Sequence, residues 1–126
     1  MKKQALILFA HGARAASWAE PFLRLQKLTQ ESEPELRVEL AFLELMQPQL
    51  PEVVKKLVDL SYESVTIAPI FLGQGGHLLR DLPLMVEEIR QQYPALQIQQ
   101  VAAAGEDAGV LQAIRDYCLR AVAVNP

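Results

Sequence analysis

Gln4-Ala5-Leu6-Ile7-Leu8-Phe9-Ala10-His11-Gly12 is the stretch that decides the fold. A short, near-continuous apolar run of this kind reads as a strand buried on both faces, the type found in parallel sheets. Next comes Ser17-Trp18-Ala19-Glu20 with capping-box spacing, in which Ser17 would accept from the third amide and Glu20 reach back. Phe22, Leu25 and Leu28 recur every three residues, which predicts an amphipathic helix over about 17–31. A second strand reads from Leu36 to Leu43, and its alternating Arg37, Val38, Glu39, Leu40 suggests a partly exposed edge. Leu50, Val53, Val54 and Leu57 follow the helical template, with Pro51 tolerated in the first turn.

Ser64 to Leu72 is again almost wholly apolar and runs into Gly73-Gln74-Gly75-Gly76-His77. Leu82, Met85, Val86 and Ile89 mark a third helix that should stop before Tyr93-Pro94. Leu96 to Ala103 reads as a fourth strand, and Leu111, Ile114 and Cys118 stripe a closing helix beginning near Asp107. The order β-α-β-α-β-α-β-α, with crossovers long enough for parallel pairing, predicts an α/β fold. It is a three-layer α/β/α arrangement around a four-stranded, mostly parallel sheet, with residues 1–126 forming one domain.

Composition narrows the function classes. Twelve Lys+Arg against fifteen Asp+Glu give a net charge of −3, so no global basic field points to nucleic acid. The apolar runs are far short of the roughly 20 residues of a membrane span. Residues 4–10 are too few for a secretory core, which predicts a cytoplasmic protein without membrane association. Cys118, the single cysteine, excludes an intrachain disulfide and a cysteine-rich zinc site, and its place on the last helical stripe predicts a small core residue.

Ligands of open α/β sheets bind outside the carboxyl ends of the strands. His11 follows the first strand, Glu44 the second, and His77 lies in the loop after the third; these are the chain's two histidines and one carboxylate at that edge. Imidazole and carboxylate suit a divalent transition ion such as cobalt, nickel, iron or zinc, and ligands from separate loops leave coordination positions open. The plainer alternatives are loop histidines bonded to carbonyls, a solvated Glu44, and Gly75-Gly76 serving only a tight turn. Arg14 and Arg80 each stand three residues after a histidine, where they could hold carboxylates of an anionic substrate or simply face solvent.

Competing motifs are missing. There is no G-x-x-x-x-G-K-[ST] loop, no G-x-G-x-x-G spacing around Gly73–Gly76 and no G-x-S-x-G elbow. Ala10 stands where histidine phosphatases place an arginine. Trp18, Phe22 and Phe42 fall on core-facing positions and read as packing.

Three segments together resemble one family: Phe9-Ala10-His11-Gly12-Ala13-Arg14, Ala41-Phe42-Leu43-Glu44-Leu45-Met46-Gln47-Pro48, and Pro69 through Pro83, which holds Gly76-His77 and Arg80-Asp81-Leu82-Pro83. They are similar to the small sirohydrochlorin chelatases of the short CbiX type, relatives of ferrochelatases. The likeness runs from about residue 4 to 105, and the third segment is its most specific part. The resemblance implies a chelatase fold that inserts Co2+, with Ni2+ or Fe2+ as alternatives, into sirohydrochlorin without ATP, in cobalamin or sirohaem synthesis. It implies no cofactor beyond the substrate metal.

By the same resemblance His11 and His77 are metal ligands and His11 accepts a pyrrole proton. Leu72, Gly73, Gln74, Gly75 and Gly76 line the macrocycle, as does the turn around Glu44 and Gln47. Ala13 departs from a common serine, and Gln47 from a common glutamate, which shifts the acidic role to Glu44. Insertion needs a metal holder and a base, so His77 is expected to hold the ion while His11 delivers it and takes protons, with Glu44 as relay. Larger relatives carry two copies of this domain, which implies a homodimer with a shared cleft. Two other classes would use the same residues: a non-catalytic carrier of tetrapyrrole or metal, and a hydrolase or phosphatase using His11.

Overall fold

The computed structural model describes residues 3–73 and 76–124, with the backbone alone for 76–79 and 124. The apolar first run is strand β1 (Gln4–Ala10), followed by helix α1 (Glu20–Ser32) and strand β2 (Arg37–Phe42). Helix α2 (Leu50–Asp59), strand β3 (Ser64–Pro69), helix α3 (Gly76–Gln92), strand β4 (Gln97–Gln100) and helix α4 (Ala108–Val124) complete the order. All four strands are parallel in the order β2-β1-β3-β4, with Leu8 opposite both Leu40 and Ala68, so the expected mostly parallel sheet is wholly parallel.

Side-chain alternation along β1 separates two cores. Ala5, Ile7 and Phe9 pack with Leu50, Val53 and Leu57 of α2 and Leu82, Val86 and Ile89 of α3. Leu8 and Ala10 face the other way, against Trp18, Phe22 and Leu25. The aromatic trio is packing as expected, with Trp18 and Phe22 ring centroids 4.6 Å apart. These two cores give the three layers: α2 and α3, the sheet, and α1.

Several local expectations are corrected. The Ser17 capping box does not form. Residues Ala16–Ala19 make a tight 3-10 turn, neither this turn nor α1 has a side-chain cap, and α1 starts at Glu20 with Pro21 in its first turn. β2 is an edge strand, yet its polar half is not left to water. Gln26 donates to the Val38 carbonyl at 3.0 Å, and Gln30 accepts from the Val38 amide at 2.9 Å, which closes the open edge. Glu39 is 9% exposed, held by Arg37 at 2.7 Å and Lys56 at 3.4 Å. That hydrogen bond also raises the Arg37 guanidinium above its ordinary value. Replacing Arg37 with Ala leaves the buried carboxylate with only the longer Lys56 contact. It should lower stability by about 1–3 kcal/mol, read as a shifted urea midpoint at unchanged slope. A wild-type midpoint would contradict that account of Glu39.

Two placements bear on function. His77 is not in a loop: the helix begins at Gly76, so His77 lies in the first turn of α3. Cys118 is not a core residue; its thiol is exposed, as is every described residue of α4 except Val110. No described helix is long and apolar enough to cross a membrane.

Candidate functional site at the carboxyl edge of the sheet

Parallel pairing brings the loops after β1, β2, β3 and β4 to one edge, and backbone contacts tie them in pairs. Beyond the ladder, the Leu43 amide donates to the Ala10 carbonyl at 2.8 Å and the Glu44 amide to the His11 carbonyl at 3.1 Å. Gly12 turns the chain at φ +97°, and a Cβ there would stand 1.8 Å from the Glu44 carbonyl oxygen. Only glycine permits both the conformation and the approach. On the other side the Gly105 amide donates to the Phe71 carbonyl at 2.8 Å, and a Cβ on Gly105 would meet the Leu72 carbonyl oxygen at 1.7 Å.

Phe71 joins the two pairs. Its ring is buried and meets Phe9 edge-on at 6.0 Å, while the exposed His11 ring lies over it with centroids 4.3 Å apart at 39°. His11 is thus an imidazole seated on an apolar floor, and no described residue hydrogen-bonds its ring. The carbonyl-bonded alternative for this histidine is not seen among the described residues. Phe71 and Gly105 were not singled out from sequence. An aromatic at the end of an apolar strand, just before a glycine loop, was the available signal for the first. The second had none, because its value lies in a contact 33 positions away in the chain.

The other expected residues divide. Glu44 is exposed on the same edge, one backbone hydrogen bond from His11. Arg14 is exposed four residues past β1 and Arg80 in the second turn of α3, and neither forms an ion pair among the described residues. Leu72 is 64% exposed, and Gly73 has open space where a side chain would be. Gln74 and Gly75 lie outside the described residues, as do the side chains of Gly76–Leu79, that of His77 among them. Among the described residues no group of three metal-ligating side chains forms.

Gln47 is otherwise engaged. With its NH2 turned toward acid, it donates to the Glu52 carboxylate in the first turn of α2. Glu52 also accepts from the Gln49 amide at 3.4 Å. Gln47→Glu should therefore set two carboxylates against each other and lower stability by about 1 kcal/mol at neutral pH, with less loss in high salt. A variant as stable as the parent at low salt would contradict the Gln47–Glu52 bond. A depression of about 710 Å3 lined by Gln30, Leu36, Arg37, Glu39 and Tyr62 lies at the amino end of β2, away from this edge.

A doubly wound parallel α/β domain with an exposed histidine at the carboxyl edge is the class that fold and site define. The CbiX family model matches residues 5–121, and the chain belongs to that family. Sirohydrochlorin cobaltochelatase of Methanocaldococcus jannaschii is 30% identical over 83 residues, 66% of this chain and 58% of that protein, so the match spans little more than half its length. Sirohydrochlorin cobaltochelatase of Sulfolobus acidocaldarius is 24% identical over 120 residues, 95% of this chain and 94% of that one. Among solved structures, a Marinobacter aquaeolei VT8 protein described as a CbiX protein of cobalamin (vitamin B12) biosynthesis is 30% identical with a TM-score of 0.87. That match covers 97% of this chain and 99% of the other. The sirohydrochlorin chelatase SirB from Bacillus subtilis subspecies spizizenii, solved in complex with cobalt, shares the fold at 22% identity and TM-score 0.79. The likeness covers 92% of this chain and 49% of SirB.

Proposed function

We propose that this chain inserts a divalent metal, Co2+ before Ni2+ or Fe2+, into sirohydrochlorin without ATP, as a step of cobalamin or sirohaem synthesis. The observation that carries the reading is His11 on its Phe71 floor, joined through its carbonyl to Glu44 at the same strand edge. Family membership and the relatives' names support it.

Insertion exchanges two pyrrole protons for one divalent ion, so two protons must leave as each ion enters. His77 holds the incoming ion and His11 is its second ligand. As the ion passes to the macrocycle, the freed His11 imidazole takes the two pyrrole protons one after the other, and Glu44 relays each to solvent. Leu72, Gly73, Gln74, Gly75 and Gly76 form the wall along which the flat macrocycle lies, and the turn at Gln47 borders it. The open space at Gly73 and the exposed Leu72 suit an apolar face laid flat. Arg14 and Arg80 engage substrate carboxylates, a local positive contribution in a protein of pI about 5.4.

The remaining parts of this reading concern assembly and place. Residues 1–126 act as one chelatase domain, two of which form a homodimer around a shared cleft, and no cofactor beyond the substrate ion takes part. The exposed free thiol of Cys118 is in keeping with the reducing cytoplasm.

Anaerobic incubation with sirohydrochlorin and each ion in turn, followed by absorbance, tests the activity. Cobalt is expected to enter faster than without protein and faster than nickel or iron. A rate equal to the protein-free rate with all three ions would overturn the reading. Exchanging both Arg14 and Arg80 for Ala should raise the KM for sirohydrochlorin about tenfold or more, from two lost charge-assisted contacts. An unchanged KM would remove these residues from the substrate site.

A further inference from the structure

Among the described residues two that are not glycine take a left-handed backbone, Ser61 at φ +68° and Leu45 at φ +65°. Such a backbone crowds any Cβ against the following carbonyl oxygen, so the position ordinarily falls to glycine or asparagine. Ser61 has a local reason for it, because it ends α2. Its amide donates to the Val58 carbonyl at 3.0 Å, and the amide of Tyr62 donates to the Leu57 carbonyl at 3.0 Å. That pair of bonds is the ordinary left-handed finish of a helix. Leu45 ends no helix.

The turn after β2 sorts its apolar residues three ways. Leu43 packs into the core beneath α2 and α3, and Met46 into the core beneath α1. Leu45, between them, joins neither core and is 56% exposed. A single exposed leucine is ordinary. One exposed on an unfavourable backbone is costly twice, and such conformations persist where the surroundings impose them and gather at ligand sites. Here the surroundings impose it. The Glu44 amide is bound to the His11 carbonyl, the Glu44 carbonyl rests on Gly12, and the Phe42 amide donates to the Pro48 carbonyl at 2.9 Å.

The sheet order puts β2 and β3 on either side of β1. Leu45 lies three residues past the end of β2, Leu72 three past the end of β3, and His11 one past the end of β1. Neighbouring strands run about 4.8 Å apart, so two exposed leucines flank the histidine from strand ends about 10 Å apart. A tetrapyrrole carries its carboxylates on its rim and presents an apolar face, for which aliphatic side chains are the fitting contacts.

We propose that Leu45 is a substrate-contacting residue. The clamped turn holds it in a left-handed backbone so that its side chain stays out of both cores and meets the apolar face of the macrocycle, across His11 from Leu72. The inference rests on the metal-insertion reading for the identity of the substrate. The contact is the same before and during insertion, so Leu45 governs binding of the macrocycle and leaves the proton and metal steps to His11 and His77.

Leu45→Asn tests it, because asparagine accepts the left-handed backbone and removes the apolar contact. The expected variant has a Tm no lower than the parent's, with Co2+ affinity and kcat unchanged. Its KM for sirohydrochlorin should rise about tenfold, and an absorbance titration should show metal-free sirohydrochlorin bound about tenfold more weakly. Leu45→Met, which returns an apolar side chain to the same backbone, should recover most of that loss. Parental KM and binding in Leu45→Asn would overturn the proposal, as would a lowered kcat at unchanged KM, a lowered Tm, or a Leu45→Met variant as weak as Leu45→Asn. The titration separates the contact from the activity. A parent that binds the macrocycle more tightly than Leu45→Asn yet inserts no metal upholds the contact and ends the insertion reading. A parent that neither binds nor metallates it ends both.

Discussion

Replacing His11 with Ala is expected to slow cobalt insertion into sirohydrochlorin by about 10²–10⁴-fold, the range for loss of a positioned proton acceptor. The protein should remain folded. His11 is exposed and contributes to the interior only by resting on Phe71, whose ring stays buried against Phe9 without it. Stability should therefore change by no more than about 1 kcal/mol. Phe71→Leu separates the two jobs. It keeps an apolar floor of similar size but removes the flat ring, so insertion should fall by less than in His11→Ala while the metal still binds. His77→Ala should match His11→Ala in rate and lower affinity for the ion by more, because His77 is the residue that holds it before transfer, read by equilibrium titration with Co2+. Parental rates in both histidine variants would end the assignment.

The largest effect on stability is expected at Gly12. An alanine there would need φ +97° and would drive its methyl carbon to 1.8 Å from the Glu44 carbonyl oxygen. The loops after β1 and β2 would have to part, breaking the Glu44–His11 backbone bond. Backbone strain and a lost buried contact together should cost about 3 kcal/mol. For a domain of this size that lowers the Tm by about 10 °C. Gly105→Ala should behave similarly through the Leu72 carbonyl at 1.7 Å. Gly73→Ala provides the internal control, since no atom of the described residues lies within 4 Å of its added carbon, and its Tm should stay close to the parent's. Equal melting of the Gly12 and Gly73 variants would show that the strand-end loops are not stitched as described.

Much of this architecture was legible in the residues. The apolar run 4–10, the Leu50–Leu57 stripe and the Ser64–Pro69 strand gave element type because burial on a pleated or helical surface imposes its period on the chain. The strand-end position of His11 followed from that alone. What escaped depends on contacts that period does not encode. Leu111, Ile114 and Cys118 have the spacing of a buried stripe, but spacing does not say which surface the stripe meets, and among the described residues the stripe stays exposed. Arg37 and Glu39 alternate as exposed residues would, yet Lys56 from the following helix closes over the carboxylate. Ser17 and Glu20 had the cap spacing, but Pro21 starts the helix later. Gly76 and His77 followed glycines that read as loop, and the helix takes them into its first turn. The candidate site was legible as a list of strand-end residues; Phe71 and Gly105, which shape its floor, became evident only when β1, β3 and the chain after β4 were seen side by side.

The central claim is catalysis at that edge, and counting turnovers tests it most directly. Under anaerobic conditions, with sirohydrochlorin and Co2+ each in large excess over protein, the account predicts many metallated macrocycles per chain, at a rate proportional to protein. A yield that stops at one macrocycle per chain or per dimer, however long the incubation, would contradict it and make the protein a carrier.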